Sequence, residues 1–203
     1  MTRPSPRTRM LLRFGIAPVA ILLAGGMAWQ ASTAAFTAVT RSAGNSWSSG
    51  SVALTDDDLG VAAFTVTNLV PGQTGTKCLV VRSTATMVGE VRSYVSNLST
   101  NGAALADHIL FKIEPGTGGS FNSCTGFVAS TTDTAVAISA AATARYDYAT
   151  GGHPWTTTAA AGGETRSYRG TWTFDTTGMT QAQIDALQGS SITADLVWEF
   201  RSN

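Results

Sequence analysis

Residues 166–174 read Arg-Ser-Tyr-Arg-Gly-Thr-Trp-Thr-Phe, and they decide the fold class. Tyr168, Gly170, Trp172 and Phe174 share one side of an extended chain, the period-two pattern of a strand with one buried face. Toward the C-terminus, Thr180-Gln181-Ala182-Gln183 has the form of a capping box, a hydroxyl three residues before a glutamine. Ile184 and Leu187 lie one turn apart, and Gly189 can close the helix in a left-handed conformation. The sequence then ends in Ile192–Phe200, where Leu196, Trp198 and Phe200 alternate with Val197 and Glu199.

Upstream the same short runs recur, broken by Gly, Asn, Asp and Pro, as in a sandwich or barrel. Strands are expected at Phe36–Thr40, Ser51–Thr55, Ala62–Thr67, Lys77–Ser83, Val88–Leu98 and His108–Ile113. Pro71-Gly72 fits the centre of a type II turn, and Glu114-Pro115-Gly116 is expected to end the strand before it. Residues 116–126 read as a Gly/Ser loop, and Ala135–Ala142 as a small-residue strand or, alternatively, a helical turn. The expectation is an all-β, antiparallel domain of about nine strands with one short helix near the C-terminus. No internal repeat or long linker divides it.

The first 35 residues stand apart. Arg3, Arg7, Arg9 and Arg13 form a basic start without an acid, followed by an apolar run from Phe14 to Trp29. That run is short of the roughly 20 residues a membrane span needs. Small residues then precede a cut after Ala34 or Ala35, so 1–35 reads as a signal peptide, the alternative being an uncleaved anchor. The membrane is then a partner only through this segment, and a signal peptidase is the partner in export. The whole chain carries 13 basic and 13 acidic residues. Without the four arginines of the leader, the remainder is acidic by four charges. Such a surface lacks the clustered Lys and Arg of an electrostatic nucleic-acid binder.

Cys78 and Cys124 are the only cysteines. Two thiols in an exported chain most simply form one disulfide, the alternative being two free buried thiols. His108 and His153 are the only histidines, and no HExxH helix, GxSxG elbow or paired acid/base carboxylates accompany them. The chain is therefore read as a non-enzyme without cofactors, its histidines structural or exposed. Asp56-Asp57-Asp58 lacks the spacing of a calcium loop and reads as a solvated turn, with calcium binding the alternative. Trp172 and Trp198 sit in strand patterns and belong to a core, whereas Trp155, among glycines and threonines, is the candidate exposed binding aromatic.

The start and end of the exported part share a further pattern. Small residues run into Phe36; an Asn-Ser-Trp-Ser-Ser-Gly segment (45–50) leads to Val52 and Leu54; and Phe64-Thr65-Val66-Thr67-Asn68-Leu69 stops at Pro71-Gly72. At the far end, Leu187-Gln188-Gly189-Ser190-Ser191 leads into Leu196-Val197-Trp198-Glu199-Phe200. This order resembles the TasA/camelysin family of Gram-positive secreted proteins, and it brackets the exported chain while the middle shows little that aligns. The resemblance implies a jelly-roll sandwich over 36–203 and a role in extracellular or biofilm matrix fibres. It also implies that Ala35, Phe36, Thr37, Ala38 and Val39 act as a donor strand, with 36–45 as the detachable segment. The partner would be another copy, head to tail, or a related matrix protein. Camelysin-like members have been described as metallopeptidases, for which the two histidines offer no motif. The alternative function is a monomeric surface module that binds glycan or a partner protein.

Overall fold

A computed structural model of the chain describes residues 37–42, 54–102 and 104–202. The proposed leader, Ala35, Phe36 and residues 43–53 lie outside these residues, and with them the first part of the strand expected at Ser51–Thr55. The chain divides into two compact units, Met1–Ala35 and Phe36–Asn203. The second holds a core of its own.

Ten strands are described: β1 (Thr37–Ser42), β2 (Leu54–Asp56), β3 (Thr74–Ser83), β4 (Gly89–Asn101), β5 (Ile109–Thr117), β6 (Val128–Ala129), β7 (Val136–Ala137), β8 (Gly152–Thr157), β9 (Glu164–Phe174) and β10 (Ser191–Ser202). Two short helices join them, α1 (Ile138–Ala144) and α2 (Gln181–Ala186). One sheet has the order β1-β10-β4-β8 and the other β2-β3-β9-β5-β6, with β7 also on β5. Every pairing is antiparallel. Setting aside the short β2 and β7, eight strands remain. In chain order they lie first-eighth-third-sixth in one sheet and second-seventh-fourth-fifth in the other. That is the jelly roll, which splits neighbours in sequence between two facing sheets.

The core lies between the sheets because the strands alternate. Tyr168, Trp172 and Phe174 of β9 point inward, with Leu79 and Val81 of β3 and Phe111 of β5 beside them. Val91, Val95, Trp198 and Phe200 meet them from the other sheet. The rings of Tyr168 and Trp198 sit 5.4 Å apart. Each large side chain removed from water in this way contributes roughly 1.5–3 kcal/mol. Thr180 caps α2 as its capping box requires, and Gly189 turns the chain at φ 74°.

Four local expectations give way to tertiary contacts. Residues 62–67 form no strand. Left-handed Leu59, Gly60 and Asn68 bound the segment, and Phe64 turns inward to meet Phe111 edge-on at 6.2 Å. Gly170 admits that ring, since a Cβ there would lie 3.2 Å from it. Second, β5 continues through Pro115 to Thr117. Its missing N–H falls between β7 at Leu110–Phe111 and β6 at Gly116–Thr117, where no ladder bond is needed. Third, 135–142 holds only a two-residue strand before α1, whose Ile138 is buried while its alanines favour the helix. Fourth, Gly152–Thr157, where no strand is expected, is the edge strand β8 and carries Pro154.

Candidate assembly edge

The proposed donor residues fall on β1 where they are described. Thr37, Ala38 and Val39 lie opposite Arg201, Phe200 and Glu199, and the ladder runs on to Ser42 opposite Leu196. β1 ends its sheet, so among the described residues β10 is its only strand partner. Behind the ladder stand Trp198 and Phe200, both buried. Thr40 is also buried and donates its hydroxyl to Asp56 Oδ2 at 2.6 Å, which ties β1 to β2 across the sandwich edge. Without β1, one side of Leu196–Arg201 would present a run of unpaired backbone groups. A peptide of matching length can satisfy that run whether it comes from the same chain or another.

The acidic triplet next to this edge is not a solvated turn. Asp57 Oδ1 accepts from Val80 N and Oδ2 from Phe121 N, both at 2.7 Å, joining the turn to β3 and to the 118–127 loop. Asp58 is buried, and its Oδ1 accepts from Gly60 N at 2.7 Å. Burial, together with the neighbouring Asp58 carboxyl, pushes Asp56 up to about 6.

Cys78 and Cys124 form the disulfide, with Cα atoms 5.2 Å apart. It fixes the 118–127 loop to β3, and Lys77 Nζ lies 4.0 Å from the centre of the Phe121 ring. Trp155, expected to be exposed, is half-buried and packs against the core from β8. Its position in a strand, opposite Val91, turns the ring inward. Among the described residues the exposed large aromatic is Tyr146, just past the end of α1.

One arrangement had no sequence signature. Ser93 Oγ lies 2.8 Å from His153 Nδ1, and His153 Nε2 lies 2.6 Å from Asp133 Oδ2, with Arg145 Nη1 a further 3.8 Å from that oxygen. The order of groups is that of a nucleophile relay, but the hydroxyl is on the core side of β4 and only 2 % exposed. A nucleophile must reach its substrate, so this chain of bonds serves to fasten β8 and the segment after β6 to β4. His108 lies apart, its carbonyl accepting from Asp175 N. Among the described residues no three His, Cys, Asp or Glu side chains converge as metal ligands. A cavity of about 10 Å³ between Phe64, Gly170, Tyr168 and Trp198 has room for one water at most.

No helix among the described residues is long and apolar enough to cross a membrane. No family model matches this sequence, and no curated protein does.

Proposed function

We propose that the chain is an exported structural subunit of the TasA/camelysin type that builds extracellular fibres by passing β1 to the β10 edge of a neighbouring copy. The observation that carries this reading is the attachment of β1: an edge strand of six residues held by a single strand, β10. Exchange between copies keeps the register from Thr37–Arg201 to Ser42–Leu196, so the same bonds form in either arrangement. Each copy gives one strand and receives one, a head-to-tail contact that propagates rather than closes. The Cys78–Cys124 bridge supports an oxidising destination. The alternative glycan-binding module loses support because Trp155 is packed rather than presented.

Electron microscopy of a chain beginning at Ala35, beside one beginning at Ala43, tests the proposal. Fibres from the first and folded monomers from the second are expected. Fibres from both would remove β1 from the mechanism. Monomers from both, at high concentration and with intact disulfide, would end the self-assembly reading.

A further inference from the structure

Asp56, Asp57 and Asp58 place three carboxyl groups where β2 ends. Asp57 spends both oxygens on the amides of Val80 and Phe121. Asp56 and Asp58 instead face each other. Asp58 is 2 % exposed, and its buried Oδ2 has no hydrogen-bond partner. Among the described residues no neighbouring cation compensates. On the adjoining β3, Lys77 lies over the Phe121 ring and Arg82 donates to the Gly162 carbonyl. Among the described residues no ion pair reaches any of the three aspartates. Two carboxylates in contact, one of them buried without a donor, call for a positive charge between them.

We propose that Asp56 and Asp58 hold a hard divalent cation of the calcium type, with the Asp56 carboxylate and Asp58 Oδ2 as its protein ligands. The donor set is oxygen alone, which suits a hard cation and not zinc. Calcium accepts six to eight oxygens and takes water for those the protein does not supply. Asp56 is half-buried, so the ion and its waters enter from that side. Asp56 Oδ2 already accepts from the Thr40 hydroxyl. An ion that fixes this carboxylate therefore also fixes the point where β1 rests on β2. The inference concerns a single copy and does not depend on strand exchange.

Thermal unfolding of the full chain in mild detergent, at neutral pH, tests it with calcium chloride against EDTA and against sodium chloride of equal ionic strength. At a calcium concentration about a hundredfold above Kd, Tm should rise by roughly 5–10 °C. Asp58→Asn keeps Oδ1 for the Gly60 amide but removes a charged ligand, and Asp56→Asn removes the other; each should abolish the rise. Should either variant unfold, calcium titration calorimetry on the unmodified chain decides alone. Heat of binding at one site supports the proposal. No heat and no calcium-dependent Tm would overturn it. A rise that survives both substitutions would place calcium elsewhere and overturn it equally.

Discussion

Arg169 on β9 stands across the ladder from Glu114 on β5 and donates to its Oε2 from both Nε, at 3.0 Å, and Nη2, at 2.8 Å. Lys112 Nζ lies 3.1 Å from the other oxygen, and the guanidinium covers the Phe127 ring at 4.8 Å. Glu114 is thereby buried on the outer face of its sheet without being stranded there. Burial pushes its carboxyl up, but the bonds from Arg169 and Lys112 outweigh it and hold the group below its ordinary range.

Arg169→Ala should therefore cost about 2–3 kcal/mol, less than a fully enclosed pair because Arg169 is partly exposed and Lys112 remains. The corresponding drop in Tm is roughly 5–10 °C. Arg169→Lys should recover only part of it, lacking the fork and the flat face over Phe127. Since the folded pKa is depressed, the pair's contribution is present above the unfolded value and disappears as pH falls through the folded one. Thermal melts at neutral and acid pH read both effects; an unchanged Tm in the alanine variant would contradict them.

Reduction of Cys78–Cys124, which closes 46 residues of sequence, should lower stability by up to about 4 kcal/mol. The loss should appear as a lower denaturation midpoint in reducing buffer. A double serine variant should match the reduced protein and show no further response to reductant.

Gly170→Val would drive a branched side chain into the Phe64 ring. Expulsion of Phe64 should cost about 1–3 kcal/mol and expose the cavity beside Trp198. Phe64→Ala in the same background should then cost almost nothing more, because the ring has already left. A double-mutant cycle that finds the two losses simply additive would disprove the contact.

Asp56 has the opposite sign from Glu114. Its folded pKa of about 6 lies above the ordinary 3.8, so the folded state binds the proton more tightly. Without added cations, stability should fall as pH rises from about 4 to 6 and level off above. Asp56→Asn should flatten that slope. Melts in EDTA across the range measure it, and a wild-type curve parallel to the variant's would refute the assignment.

The elements legible in sequence are those whose cause is local. The side-to-side pattern of Tyr168, Gly170, Trp172 and Phe174 and the Thr180–Gln183 box need no knowledge of distant chain, and both stand as read. Ala62–Thr67 alternates too, yet alternation cannot reveal whether a neighbouring strand exists to receive it, and here Phe64 finds a ring instead. β8 has no local signature because left-handed His153 and the adjacent Pro154 interrupt it, and only the pairing of Gly152 and Trp155–Thr157 with β4 defines the strand. The role of Asp57 depends on amides 23 and 64 residues away, beyond any local rule. Ser93, Asp133 and His153 likewise meet only after folding.

Pro154 lies on β8, the margin of its sheet, and Pro115 on β5 in the gap between β7 and β6, both on the side where Asp133 meets His153. Each removes a donor from a margin that another chain could otherwise extend. No proline interrupts β1 or β2 at the opposite margin. The described residues therefore have one flank capped by proline and one without, so an added strand would meet the two flanks differently. The two rings withhold backbone donors from the first flank alone.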